Sequence, residues 1–419
     1  MKNSPFQYRE FNFYILMRLM ITIGSQLKSV IIGYYLYSLT KSSLSIGIIG
    51  LCEALPFIAL ALYAGYYVEG KSKQKMMKLV IGGMTINILI LAILPLLHYF
   101  KYLPTHLTIN LLYLTLVLRG FINAFGPPSS VSTLSIIIPK NLMPRAAATS
   151  SSAWQIGAVL GPLMGAVLSF FTGDLNVDLI VFYCLIIGFG FHIIAWISVN
   201  QIKNTYPDKV LNESPQMILK IKEGLHYVFN NKILLYAISL DLFAVFFGGV
   251  TALLPVFASE ILHEDISGLS WLRAALPFGS AIMMIYLSKF PPIQKSGYKL
   301  LYAVGFYGLC TIAFALSKNF YFSFLMLFMC GIFDSISVVI RATILQLQTP
   351  ETMKSRVSAV NSMFISSSNE LGAAESGFAA RLMGTIPSVI FGGSMTVFIV
   401  LFTWFKGKDL KESELKMVD

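Results

Sequence analysis

RGFINAFGPPSSVSTLSIIIPKNLMPRAAATSSSAWQIGAVLGPLMG, residues 119–165, is written twice in this chain. The second copy opens at Cys330-Gly331 and runs without a gap through Pro350 and Arg356 to Gly372. Gly120 and Gly331, Pro139 and Pro350, Arg145 and Arg356, and Gly161 and Gly372 each stand 211 residues apart. Matched leucines would mean little in so apolar a chain, but glycine, proline and arginine in register are hard to obtain by chance. A period near half of 419 residues implies two homologous halves. Ala54-Leu-Pro-Phe57 recurs as Ala275-Leu-Pro-Phe278, here 221 residues apart, so an insertion separates the two matched blocks.

The solvent follows from composition. Apolar residues make up 56% of the chain and charged residues only 12%, with a mean hydropathy of +0.72. A water-soluble domain of this length could not hide that much apolar surface, so lipid must cover much of it. The formal charge of +11 does not indicate a nucleic-acid partner, because the basic residues sit in short connectors between apolar runs. Cys52, Cys184, Cys310 and Cys330 all fall inside apolar runs without ligand spacing, which supports neither a disulfide framework nor a metal site. The first apolar run, from Phe11, is too long for a signal peptide and is expected to remain as a helix.

A span needs about 20 apolar residues. Twelve are expected: 11–39, 43–68, 76–98, 107–136, 142–171, 177–200, 231–260, 267–289, 298–317, 319–347, 354–382 and 385–405. The expected organisation is an all-α integral membrane protein with a six-helix half over 1–200 and a polar linker over 201–230. A second six-helix half over 231–405 and a tail over 406–419 complete it. Within the linker, Met217 to Phe229 reads as an amphipathic helix lying on the membrane surface. Basic residues crowd one set of connectors, among them Lys71, Lys73, Lys75, Lys78, Lys140, Arg145, Lys220, Lys354 and Arg356. The opposite set holds only Lys41, Lys101 and Lys318. That asymmetry places both termini in the cytoplasm, in agreement with an even number of spans.

Gly65-Tyr-Tyr-Val-Glu69-Gly70-Lys71-Ser72-Lys73-Gln74-Lys75 resembles the major facilitator signature between the second and third helices, G-x-x-x-D-R-x-G-R-R/K. Here Glu69 replaces the Asp, Gly70 the Arg and Ser72 the Gly. Gly157-x-x-x-Gly161-Pro162-x-x-Gly165-Ala166 resembles the fifth-helix antiporter signature, which is associated with exporters, with Ala166 in place of its last Gly. In the second half, Leu240-Asp241-Leu-Phe-Ala-Val-Phe-Phe-Gly248-Gly249, Val338-Val-Ile-Arg341, Arg356-Val-Ser-Ala-Val-Asn361-Ser and Ser368-Asn369-Glu370-Leu371-Gly372 resemble the enterobactin-exporter-like and macrolide-efflux branch. The resemblance implies a major facilitator fold in which the first, fourth, seventh and tenth helices line a central cavity. Lys28, Arg119, Asp241, Asp334 and Arg341 lie on those helices.

Charges inside the spans carry the chemistry, since each costs about 2.5–3.5 kcal/mol or more at a helix centre unless sheltered. The acids are Glu53, Asp241, Asp334, Glu370 and Glu375; the bases are Arg18, Lys28, Arg119, Arg273, Arg341 and Arg381. Asp334 and Arg341 are two helical turns apart and share a face. Asp241 and Arg341 lie at comparable depth and are expected to pair, either as a gate or proton-sensitive latch, with Asp241 a proton-coupling candidate, or as a fixed structural pair. Asp334 stands 211 residues from Asn123, so one half has a titratable group where the other has an amide, as proton coupling requires and as drift also leaves.

Lys28 and Arg119 have no acid on their own helices. They read either as a site for a substrate anion or as partners of Glu53. Glu370 reads as a second proton site or a buried structural residue, and Phe333 as an aromatic contact for substrate. Arg18, Arg273, Glu69, Arg145 and Arg356 are assigned to gates or interfaces. Gly157, Gly161 and Gly165, with Pro162, form one smooth helix face suited to close packing.

No phosphate-cradling loop and no nucleophile–base constellation stands in the sequence, so neither direct ATP drive nor an enzyme is expected. The expectation is a secondary transporter of a bacterial cytoplasmic membrane that works as a monomer by alternating access. It has no cofactor, no metal and no nucleic-acid partner, and it draws on the proton gradient. Its expected work is the export of a siderophore-like anionic organic molecule, a substrate class that the resemblance implies. Uptake of a ferric siderophore or its precursor, and drug or macrolide efflux, are the alternatives.

Overall fold

The computed structural model describes residues 4–69, 71–139, 142–172, 175–202, 216–290, 296–350 and 353–411. Twelve long helices follow one another. They are α1 (Arg9–Thr40), α2 (Ser43–Glu69), α3 (Lys73–Tyr99), α4 (Thr105–Ile137), α5 (Met143–Thr172) and α6 (Val177–Asn200), then α7 (Lys232–Ile261), α8 (Ile266–Lys289), α9 (Ser296–Leu316), α10 (Phe320–Gln348), α11 (Lys354–Met383) and α12 (Thr385–Lys406). Eleven of these are long and apolar enough to cross a membrane. The twelfth, α11, is thirty residues long but carries Arg356, Glu370, Glu375 and Arg381. The protein is a multi-span helical membrane protein, and the described residues contain no strand.

The chain divides into two compact units. The first comprises Met1–Lys41, Leu51–Glu213 and Glu264–Ala274; the second comprises Ser42–Gly50, Ser214–His263 and Ala275–Asp419. In the first, α1 packs on α5 and α6, and α3 packs on α4 and α6. The second repeats these pairings six helices later, with α7 on α11 and α12, and α9 on α10 and α12. The repeat in the sequence is therefore a repeat of packing.

The matched glycines show why the sequence needs it. A Cβ on Gly161 would stand 2.6 Å from Cβ of Gln26 and 2.8 Å from the Ile23 carbonyl oxygen on α1. On Gly372 it would stand 2.8 Å from the Phe246 carbonyl oxygen on α7. Each glycine lets the fifth helix of its unit lie against the backbone of the first. Gly157 makes the same approach to Thr22.

Two of the expected spans are broken rather than continuous. Phe125 separates Thr105–Ala124 from Gly126–Ile137, because Pro127 and Pro128 have no N–H to carry the ladder through. In α7, Gly248 and Gly249 interrupt the helix, which resumes as Val250–Val256 and ends in a π turn, Phe257–Ile261. The Gly248 carbonyl accepts the Tyr307 hydroxyl at 3.3 Å, so the break is re-satisfied from α9. Large apolar side chains such as Leu79, Ile86, Ile285 and Leu401 are exposed, while Leu27, Ile88 and Leu301 are fully buried. Apolar residues outside and inside are what a lipid solvent allows.

The linker helix, Gln216–Asn230, packs against the second unit. Val228 is 1% exposed in a cluster with Leu234, Leu300 and Val357. Tyr227 donates its hydroxyl to the Gln348 carbonyl at 2.7 Å, and Glu223 pairs with Arg356. The remainder of the linker lies outside the described residues.

Candidate functional site

Asp241 stands nine residues into α7, a helix whose first turn is capped by the Asn231 side chain accepting from the Leu234 amide at 3.1 Å. Arg341, on α10, forms an ion pair with Asp241, and both side chains are about nine-tenths buried. Its Nε also donates to Ser337 Oγ at 3.1 Å, one turn back on the same helix. The expected pair is present, and a buried pair of opposite charges is neutral as a unit.

Asp334 lies two turns before Arg341 on α10 and has neither a hydrogen bond nor an ion pair with a described residue. It lines a small cavity of about 20 Å³ together with Asp241, Ala244, Tyr307, Phe333 and Ser337 among others. Phe333 stacks on Phe306, ring centroids 5.2 Å apart, and gives the pocket an aromatic wall. With Arg341 committed to Asp241, ionised Asp334 leaves the pocket with one negative charge. Protonated Asp334 leaves it neutral.

The first unit holds a second cluster. Lys28 Nζ on α1 is 2.6 Å from Glu53 Oε1 on α2, and Arg119 Nε on α4 is 3.8 Å from the same oxygen. Arg119 Nη2 donates to Ser25 Oγ at 2.8 Å. Its Nη1 is buried without a hydrogen-bond partner among the described residues. Close approach of α4 to α2 brings the three charges together. A Cβ on Gly120 would stand 2.6 Å from the Glu53 carbonyl oxygen and 3.2 Å from that of Cys52. Pro56 has no N–H to offer the Cys52 carbonyl, so the turn is already open there. Beside the cluster, His192 is fully buried; its Nδ1 lies 2.9 Å from the Gly188 carbonyl, and its Nε2 has no partner among the described residues. Both cations thus face the same carboxylate oxygen of Glu53.

The two units are not copies at the level of charge. Arg18 is nine residues into α1, as Asp241 is into α7, and Ser130 stands 211 residues before Arg341. Arg18 Nη1 reaches Ser130 Oγ at 3.4 Å, and Tyr14 bonds the same oxygen at 2.7 Å. One unit therefore places a cation where the other places a carboxylate. The sequence carried that signal in the 211-residue offset, but only against the offset of α1 and α7, which no shared motif marks.

The remaining expected residues are dispersed. Asn123 is exposed on α4, and Arg273 Nη2 donates to Ser29 Oγ at 3.1 Å within the first unit. Arg145 is exposed, and its counterpart Arg356 pairs with Glu223. Gly165 faces Ser270, and Pro162 is buried within α5. The side chains of Glu69 and Glu370 lie outside the described residues. Sequence reasoning missed a third cluster. Asp178 Oδ1 accepts the Tyr35 hydroxyl at 2.6 Å and lies 3.0 Å from His98 Nδ1, while His98 Nε2 is 3.2 Å from Thr105 Oγ1. Its members come from the ends of four helices, a gathering no spacing announces.

Residues 14–373 match the model of the Major Facilitator Superfamily. Macrolide efflux protein A of Streptococcus pyogenes is 22% identical over 276 residues, 65% of this chain and 64% of that relative. The chain thus matches less than two thirds of that relative's length. Among solved structures, a POT family transporter in complex with 5-aminolevulinic acid is similar with a TM-score of 0.70 at 11% identity, covering 96% of each chain. A bacterial homolog of the human lysosomal transporter Spinster, inward-facing and unoccupied, gives 0.65 at 15% identity, again with 96% of each chain covered. The nucleoside transporter NupG gives 0.69 at 14% identity, covering 96% of this chain and 100% of its own. These likenesses are likenesses of fold.

Proposed function

The chain belongs to the Major Facilitator Superfamily of membrane transporters, and we propose that within it the chain exports an anionic, siderophore-like organic molecule in exchange for protons. The proposed setting is a bacterial cytoplasmic membrane, with both termini on the cytoplasmic side. The protein works there as a monomer without a cofactor.

One observation carries the proton coupling: the Arg341 guanidinium is committed to Asp241, and Asp334, in the adjoining pocket, has no ion-pair partner among the described residues. Protonation of Asp334 removes an uncompensated buried charge. Any conformation that shelters the pocket from water is favoured by the proton, and any that hydrates it is favoured by the ionised form. A proton gradient then biases alternating access, provided that proton and cargo compete. The buried Arg119 Nη1, which has no hydrogen-bond partner among the described residues, supports a negatively charged cargo.

Drug efflux is the second reading, favoured by the similarity to a macrolide efflux protein. The test is accumulation of a catecholate siderophore and of a macrolide in inside-out and right-side-out vesicles, with the pH gradient imposed in each direction. Export coupled to protons gives uphill accumulation in inside-out vesicles that are acidic inside, and none when the gradient is collapsed. Accumulation of the macrolide alone selects the second reading.

A further inference from the structure

Two guanidiniums are exchanged between α1 and α4, one from each helix. Arg18 of α1 reaches Ser130 Oγ of α4 at 3.4 Å, and Arg119 of α4 donates to Ser25 Oγ of α1 at 2.8 Å. Arg18 and Ser25 stand seven residues apart on α1, which is two turns, one helix face and about 10 Å of rise. Each guanidinium has one donor left over: Arg18 Nε and Arg119 Nη1 are both buried without a hydrogen-bond partner among the described residues. A buried charged donor without an acceptor is costly, and the same shortfall recurs at both positions. The resident acceptors are weak rivals for an incoming anion. Ser25 and Ser130 are neutral, whereas a bond from a guanidinium to an oxyanion is roughly twice as strong as one between neutral groups. Arg18 forms no ion pair with a described residue. The hydroxyls of Tyr14 and Ser130 beside it, 2.7 Å apart, can turn toward an oxyanion as well.

We propose that Arg18 is a second anchoring point for the cargo, and that the cargo carries two oxyanion groups about 10 Å apart, one held by Arg119 and the other by Arg18. The inference rests on the anionic-cargo reading above and adds to it a second attachment and a length. A single carboxylate occupies one guanidinium and leaves the spare donor of the other as it was. A short dianion places its second charge one turn along α1, beside Ile21 and Thr22, where that helix carries no charge. A dianion of matching length satisfies both ends, and it meets two guanidiniums that stay ionised at any pH in which the protein is folded. The serine contacts orient the two forks without neutralising them, which lowers the cost of ordering them around a ligand.

Rigid aromatic acids provide the test, because their carboxylates cannot fold toward one another. Biphenyl-4,4′-dicarboxylate holds its carboxylates about 10 Å apart, which matches the rise between Arg18 and Ser25. It is compared with terephthalate, a shorter diacid, with biphenyl-4-carboxylate, and with the uncharged biphenyl-4-carboxamide. Each is titrated by calorimetry into the full-length protein in detergent at neutral pH. The unmodified protein is expected to bind the long diacid about tenfold or more tightly than either the monoacid or terephthalate. Arg18→Gln is expected to bring the ratio of long diacid to monoacid affinity close to one, and Arg18→Lys, which keeps the charge but loses the fork, to give an intermediate ratio. Ser130→Ala removes the resident acceptor of Arg18 and not its charge, and is expected to keep the original ratio. An equal fall in Ser130→Ala and Arg18→Gln makes the Arg18–Ser130 contact a structural tie and overturns the proposal. Equal affinity for long diacid and monoacid in the unmodified protein, or no saturable binding of the diacid, overturns it without recourse to any variant. Monoacid binding that is lost in Arg119→Gln, with the diacid no tighter, leaves the anionic-cargo reading intact with a single anchoring point. If the carboxamide binds as tightly as the monoacid and neither depends on Arg119, the anionic-cargo reading itself fails.

Discussion

Arg341 is paired with Asp241 across α7 and α10, not with Asp334 on its own helix. The choice divides three charged groups into a neutral pair and a solitary carboxylate, and the proposed coupling depends on that division. Asp241→Asn would leave a buried guanidinium without its counter-charge, a loss of about 3–5 kcal/mol for a pair of this kind. Arg341→Met would strand two carboxylates in one pocket. Each single variant is expected to lower the melting temperature and transport together. The exchanged pair, Asp241→Arg with Arg341→Asp, is expected to recover a substantial part of both; thermal unfolding in detergent and vesicle transport check it.

Gly161 and Gly372 make the same backbone approach in their respective units. Alanine at either position places a Cβ within 2.6–2.8 Å of the first or seventh helix, where overpacking costs about 1–3 kcal/mol. Both Gly161→Ala and Gly372→Ala are expected to lower the melting temperature measurably, and the larger Gly→Leu changes to prevent assembly. Gly65 and Gly190, which have open space where a Cβ would go, are the controls; their alanine variants are expected to melt at the original temperature.

The linker helix is held by burial more than by charge. Glu223 and Arg356 are 40% and 31% exposed, and pairs so open to water contribute about 0–1 kcal/mol. Glu223→Gln is therefore expected to change stability little. Val228→Asp, which places a charge in the cluster with Leu234 and Leu300, is expected to release the helix. Limited proteolysis between residues 203 and 230 reads the release as faster cleavage.

Much of the fold was legible because its signals are local or periodic. Apolar runs set the helices, and the 211-residue register of Gly120, Pro139, Arg145 and Gly161 set the duplication. Asp241 and Arg341 were legible as a pair because their depths along α7 and α10 agree. Glu53 was harder. It joins α1 and α4 through a carboxylate on α2, and the approach that brings it there depends on Gly120 and Pro56 acting together. The breaks at Phe125 and Gly248 were written in Pro127-Pro128 and Gly248-Gly249, but hydrophobic run length reads across them. The docking of Val228 was hidden, since an apolar helix face looks the same whether lipid or protein covers it.

Asp334→Asn isolates the claim on which the rest depends, because asparagine keeps the shape of the side chain and removes only its ability to gain and lose a proton. Reconstituted protein is loaded with labelled cargo, and two rates are followed: exchange without a gradient, and uphill accumulation driven by an imposed pH gradient. Exchange is expected to persist in Asp334→Asn while accumulation falls to the level seen with the gradient collapsed. Gradient-driven accumulation equal to that of the unmodified protein would contradict that claim.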